Sequence, residues 1–333
     1  MTSPKPEPPP PRIKHNSELA AWFILEHKVT GRYPRVIDQH NALALEHKKL
    51  FPYGYNPSII ERDRGLLMAY RYHDGKSSDL AGNSLHSDLA LAMMDFEGKV
   101  IHNEKIPLGE GGEDPKLFLH QGAVHISWVE STFPRMPWKS VVMFGRLGEQ
   151  KILDPKKPPL PGNDYLTIQK NWVFFGNDFD LYCIYQCHPQ QVTYRLNGSE
   201  IGAEYRTPGP RWPYGQVRGG TSPLLFEGNL IRFFHSGLDN EYGQFYRRYF
   251  MGAYLTRPDP PFEVLAVSYK PIVYGAETDR LKKAQWEECP QYKRQVVFPG
   301  GAISVEGGWL VSVGVNDSSC EILKITPKDL HLI

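Results

Sequence analysis

The run Gly109-Glu110-Gly111-Gly112-Glu113-Asp114-Pro115-Lys116 sets two adjacent carboxylates between permissive glycines and a Pro-Lys pair. A carboxylate that is partly withdrawn from water rises in pKa toward general-acid range, so Glu113 and Asp114 are candidates for proton transfer. The same run also reads as an acidic turn in which Asp114 caps the strand that follows. Other chemistry is less well supported. His73, His86, His125 and His188 show no ligand spacing, and Cys183, Cys187, Cys289 and Cys320 lack the paired spacing of a zinc site, so no metal is expected. A Gly-rich nucleotide loop between a strand and a helix is also missing, and no cofactor is expected.

The elements that must hold these carboxylates are strands. Thirty glycines and 29 prolines punctuate short aromatic and β-branched runs, which indicates an all-β protein. A hairpin unit recurs along the chain, each copy with a short polar start, a strand, a tight turn and a second strand. The copies begin at Asn56-Pro57, Asp114-Pro115, Asn171-Trp172, Ser222-Pro223 and Gly301-Ala302. Their turns fall at Asp63 to Gly65, Gln121-Gly122, Asn177-Asp178, Glu227 to Asn229 and Glu306 to Gly308. A spacing of roughly 50 to 80 residues suits four-stranded propeller blades with variable loops, so five units predict a five-bladed β-propeller. A β-sandwich of similar hairpins is the alternative. In a propeller the first strand of each blade lines the axis, so Asn56, Asp114, Asn171 and Ser222 would converge at one mouth and form a small-molecule site.

Residues 1–16 are Pro-rich and read as a disordered tail, residues 17–50 as a helical extension and residues 51–333 as the propeller. Helices are expected over Ser17 to Glu26 and over Ala42 to Lys49. With 38 Lys plus Arg against 37 Asp plus Glu, the chain has no broad electrostatic grip on nucleic acid or an anionic membrane. No apolar run is long enough to span a bilayer, and no secretory signal is visible. Sparse cysteines point to a reducing cytoplasm. Self-association is compatible with the sequence.

Several motifs, in order, resemble glycoside hydrolase family 130, the β-mannoside phosphorylases and hydrolases. Glu113-Asp114-Pro115-Lys116 is similar to that family's Glu-Asp-Pro-Arg element. Asn56-Pro57 with Leu67 to Arg71 resembles its first blade, and Ser222-Pro223 through Phe234-His235 its phosphate-side blade. Tyr249 to Leu255 followed by Pro271-Ile272, then Val296 to Gly301 and Gly314 to Asp317, resemble its later segments. The resemblance spans residues 50 to 326 and implies a five-bladed propeller.

It also implies roles. Asp114 would be the general acid of an inverting displacement, its proton able to travel through a sugar hydroxyl. Asn56, Arg71 and Asp74 would hold the sugar, with Glu113, Asn171, Glu287 and Glu288 also in contact with it. Arg71 is equally readable as a structural ion-pair partner of a nearby carboxylate. Inorganic phosphate, the implied co-substrate, would be held by Lys170, Arg218 and His235, since such an anion needs several cations or strong donors. Arg218-Gly219-Gly220-Thr221 is itself a plausible anion-binding turn, because its glycines expose backbone N–H groups.

The departures are Lys116 where the family carries arginine, which loses the planar bidentate fork, and the unfamiliar wording of Gln169 to Trp172 and Pro210 to Gln216. The implied activity is transfer of a hexosyl group, mannosyl by resemblance, between a glycoside and phosphate. A transferase using a sugar nucleotide, with Asp114 as base, is the alternative. A hydrolase using Glu287 or Glu288 to activate water is another, and a non-catalytic sugar-binding propeller the last. Trp172, Trp212, Trp286 and Tyr214 could stack on sugars, though aromatics of this kind usually build the core.

Overall fold

The structure, a computed structural model, describes residues 42–73, 87–108, 111–131, 139–149, 151–240, 243–274 and 296–332, without the side chains of 239–240 and 243–247. The expected tail, the Ser17 to Glu26 helix, Asp74, Trp286, Glu287 and Glu288 lie outside them.

Five antiparallel sheets follow one another along the chain. The first holds β1 (Tyr55–Arg62), β2 (Gly65–Tyr72), β3 (Asp88–Met94) and β4 (Val100–Ile106). The second holds β5 (Glu113–His120), β6 (Ala123–Ser131), β7 (Ser140–Leu147) and β8 (Ile152–Lys156). Next come β9 (Val173–Gly176), β10 (Leu181–Gln186), β11 (Gln190–Asn197) and β12 (Glu200–Pro208). The fourth has β13 (Leu224–Phe226), β14 (Asn229–Asn240), β15 (Gly243–Thr256) and β16 (Val264–Val267), with β17 (Val273–Tyr274) also on β15. The last has β18 (Val297–Val305), β19 (Gly308–Val315) and β20 (Ser319–Ile325). This is an all-β, five-bladed β-propeller.

The hairpins form where turn residues tolerate left-handed backbone. Asp63-Arg64, Gln121-Gly122 and Glu227-Gly228 each have positive φ at both positions. That is the geometry of the two-residue turns whose twist matches paired strands.

The ring is held by apolar packing between blades. Leu67, Leu89 and Leu91 of the first blade meet Leu117, Ile126 and Trp128 of the second. Phe118 and Phe144 stack on Phe174 of the third, with centroids 5.5 and 5.3 Å apart. Val173 and Ile184 pack with Phe234 and Tyr254 of the fourth. Ile231, Phe233 and Met251 pack with Val297, Val311 and Val313 of the fifth. Ile303, Leu310 and Ile322 then return to Ile59, Met68 and Tyr70 of the first. Each cluster straddles one blade boundary, so the hydrophobic effect closes the circle rather than stabilising blades singly.

Hydrogen bonds between neighbouring blades add register. Ser58 Oγ accepts from Leu117 N at 2.9 Å, and Ser222 Oγ donates to the Phe174 carbonyl at 2.8 Å. Across the closure, Ser312 Oγ donates to the Pro57 carbonyl at 2.9 Å.

The region expected as a helix over Ala42 to Lys49 is built otherwise. Ala42 forms an antiparallel bridge with Leu323, and Leu43 N donates to the Ile322 carbonyl at 2.9 Å. Only His47–Lys49 is helical, as one 3-10 turn. The physical reason is the three-stranded last blade, whose β20 edge has unpaired backbone groups that the incoming chain satisfies. No helix among the described residues is long and apolar enough to cross a membrane.

Candidate active site

Three blade starts share an uncommon backbone state. Asn56, Asp114 and Asn171 have φ of 50°, 48° and 65°. Asn and Asp tolerate this region far better than branched or bulky residues. The strand registers slip beside the first two, between Tyr55 and Ser58 and between Glu113 and Lys116. A slip of this kind re-aims a side chain away from the sheet's regular alternation.

The outcome is a carboxylate centre. Asn56 Nδ2 donates to Asp114 Oδ1 at 2.8 Å. Arg71, opposite Tyr55 in the β1–β2 register, reaches Asp114 Oδ1 at 3.1 Å and Glu113 Oε2 at 3.3 Å through the same Nη1. Its Nε donates to Ser87 Oγ at 3.2 Å, and Ser87 Oγ donates on to the Gly112 carbonyl at 2.8 Å. The guanidinium also lies 4.7 Å from the centroid of the Tyr55 ring. Arg71 is thus the ion-pair partner of both carboxylates, and a buried cation with this much support holds them in one geometry.

The electrostatics reverse one expectation. Burial does push the Asp114 carboxyl upward, but Arg71, the Asn56 amide and Lys170 outweigh it and hold the group below its ordinary value. Asp114 is therefore a carboxylate here, not an acid raised by desolvation. Each stabilising partner sits at a sequence distance that composition and spacing do not reveal. Arg71 itself is held more firmly protonated than usual. Burial opposes its charge, and Tyr55, Glu113, Asp114 and Asp317 overcome that opposition.

A second group of side chains is cationic. Lys116, two residues beyond Asp114, is buried and donates to the Gly220 carbonyl at 2.6 Å. It also lies 4.9 Å from the centroid of the Phe298 ring. Burial pushes its ammonium down to about 8 against the pull of Asp114. Arg218 stands on the turn before β13, and its N–H donates to the His235 carbonyl at 2.9 Å. His235 is buried, and its Nδ1 has no hydrogen-bond partner among the described residues. Burial, Arg218 and Lys116 together hold its imidazole well below the usual range, hence neutral. Neither Lys116 nor Arg218 makes an ion pair among the described residues.

Lys170 and Arg218 also line a cavity of about 360 Å³ at the boundary of the third and fourth blades, together with Asn171, Trp172, His188 and Gly219. The Gly219 Cα stands so close to the Asn171 carbonyl that any Cβ there would collide with it. Glycine at this position lets the Arg218 turn dock against the third blade.

The structure therefore brings Asn56, Arg71, Glu113 and Asp114 into direct contact and puts Lys170 within electrostatic reach of them. Arg218 and His235 form a neighbouring pair, which Lys116 joins to Asp114. Ser222 departs from the expected polar ring, because its hydroxyl is engaged between blades. Trp172, Trp212 and Tyr214 are core residues, buried in the clusters between blades. Lys116 was legible only as a departure from a motif. Its signal was a cation two positions from the key carboxylate.

No protein-family model matches the sequence, and no curated protein matches it. Solved structures do. A glycoside hydrolase family 130 protein, from the work describing hydrolases that target β-1,2-mannosidic linkages in Candida mannan, aligns at 15% identity. The alignment has a TM-score of 0.59 and covers 83% of this chain and 84% of that one. A mannose phosphorylase from Leishmania mexicana, solved with a phosphate ion, aligns at 13% identity with a TM-score of 0.57, covering 95% and 96%. A GDP-Man-dependent mannosyltransferase from the same organism aligns at 13% with a TM-score of 0.54, covering 91% and 94%. The fold is thus that of the family 130 mannoside phosphorylases and hydrolases. At this identity the likeness establishes the propeller. The chemistry has to be argued from the site.

Proposed function

We propose that this chain is a carbohydrate-active enzyme of the β-mannoside phosphorylase type, transferring a hexosyl group, mannosyl by resemblance, between a glycoside and phosphate with inversion. One observation carries the reading. The Glu113–Asp114 carboxylates, which share Arg71, lie beside Lys116 and Arg218, cations that make no ion pair among the described residues. Lys116 is buried and Arg218 half-buried, and positive charge withdrawn from water without an ion-pair partner is costly unless an anion supplies one. A sugar on the Asn56–Arg71–Asp114 centre and an anion on the Lys170–Arg218–His235 side would satisfy both halves.

In phosphorolysis a phosphate oxygen attacks the anomeric carbon while the bond to the aglycone oxygen breaks. That oxygen takes a proton, delivered through a sugar hydroxyl from Asp114, whose carboxylate must first have taken up a proton from solvent. In the reverse direction Asp114 accepts the acceptor's proton, phosphate leaves, and the glycosidic bond forms. An ionised Asp114 is ready for this synthetic direction, because a base must begin deprotonated. The cations stabilise the phosphate as it enters or leaves. Asp74, Glu287 and Glu288 belong to the reading as further sugar contacts by resemblance. Residence in the cytoplasm belongs to it through the cysteine usage alone.

A second reading uses the same residues with a sugar nucleotide as donor. It is favoured by the cavity beside Lys170 and Arg218, which is far larger than a phosphate ion. The deciding experiment mixes the protein with mannose 1-phosphate and a panel of sugar acceptors and follows phosphate release. Release that requires an acceptor supports the phosphorylase. Silence there, with turnover of a nucleoside diphosphate mannose, moves the protein to the transferase reading. Silence with both donors removes the enzymatic proposal.

A further inference from the structure

Lys116 is placed unlike the other cations. Its ammonium has three N–H donors. The Gly220 carbonyl takes one at 2.6 Å, the Phe298 ring faces the group at 4.9 Å, and no carboxylate lies within ion-pair distance among the described residues. Gly220 follows Arg218 and Gly219 directly, so the bond ties the strand carrying Asp114 to the turn carrying Arg218 across 104 residues of chain. A single carbonyl and a ring face are modest compensation for a buried charge. The ammonium therefore has both the unused donors and the position to meet an anion held at that turn.

We propose that Lys116 is a proton-linked anion ligand of the site: it serves the Gly220 carbonyl and an incoming phosphate-class dianion in turn, and the dianion draws a proton onto it. The inference rests on the anion site proposed above and adds to it a residue and a pH dependence.

Each titratable neighbour facing the amine can be assigned. Asp114, on the same strand, is already ionised. His235, from β14, is held neutral by burial, Arg218 and Lys116. Cys187, after β10, is kept protonated above its ordinary thiol range by burial. Arg218 carries a fixed charge. Lys116, pushed to about 8, is the group among these that changes charge in mildly alkaline solution. A dianion beside it favours the charged form and so raises that value.

The test is calorimetric titration with sulfate, whose own charge does not change in this range, in pairs of buffers of different ionisation enthalpy. At pH 8.5 the wild type should take up roughly half a proton or more per sulfate bound, and close to none at pH 6.5. Lys116→Arg, which keeps a cation that cannot titrate here, should bind sulfate with no uptake at either pH. Lys116→Met should show no uptake and bind at least about tenfold more weakly at pH 6.5. Sulfate binding without proton uptake in the wild type, or uptake at pH 8.5 that persists in Lys116→Arg, overturns the role of Lys116 and leaves the anion site standing. If neither sulfate nor phosphate binds the wild type at any pH, the anion site itself is refuted.

Discussion

Asp114→Asn separates the chemistry of the carboxylate from its structural duty. Asparagine keeps the oxygen that accepts from Asn56 at 2.8 Å and Arg71 at 3.1 Å, and it tolerates a φ of 48°. What it loses is the negative charge and the ability to exchange a proton. Replacing a charge-assisted acceptor by a neutral one costs roughly 1 kcal/mol, partly offset because an amide is cheaper to bury, and Glu113 still pairs with Arg71. For a chain of this size that is a fall in Tm of only about 1–2 °C. Turnover should fall at least about 100-fold, the usual size of an acid–base contribution. The assay is phosphate release from mannose 1-phosphate with the best acceptor, with sugar binding measured separately by calorimetry. A depressed carboxyl stabilises the fold above its ordinary value of 3.8, and that contribution is lost as pH falls through the folded value. The variant should therefore lose part of the acid limb of the Tm–pH curve as well. An Asp114→Asn protein that keeps more than about a tenth of wild-type turnover refutes the proton-transfer role, since a neutral amide cannot substitute at that level.

Removing Arg71 as Arg71→Met leaves two half-buried carboxylates without their shared cation; denaturant unfolding should report a loss of up to about 3–5 kcal/mol, and a near-neutral result would show that the ion pairs are not structural. Arg218→Ala should weaken phosphate binding by about 10- to 100-fold in calorimetry while shifting Tm little, because its guanidinium supports no ion pair among the described residues. Gly219→Ala should lower turnover through displacement of the Arg218 turn, since its Cβ meets the Asn171 carbonyl, and wild-type phosphate affinity in that variant would argue against the turn as the anion site. Gly314→Ala should impair turnover from the opposite side of the ring, because its Cβ runs into Asn56, whose amide orients Asp114; unchanged kinetics would show that the contact is not needed.

The hairpins were legible because their determinants are local. A short aromatic and aliphatic run such as β2 or β14 and a Gln-Gly or Glu-Gly turn each act within a few residues, so the five units and their turns could be read in order from the chain. The inner-strand positions of Asn56 and Asp114 followed from that repetition. Ring closure was not legible. Ala42 and Leu43 pair with β20 because the last blade leaves an edge open, a condition that exists only once the propeller has curved round on itself. The protonation of Asp114 was misread for a related reason. Burial alone would raise its pKa, whereas Arg71 and Asn56, from the neighbouring blade, reverse the sign. Lys116 shows the same division. Its type and its nearness to Asp114 are written in the chain, but its meeting with Gly220, Phe298 and His235 joins four separate stretches. Side-chain identity and local conformation are properties of sequence. The electric field at a site is a sum over groups that only the closed ring brings within reach.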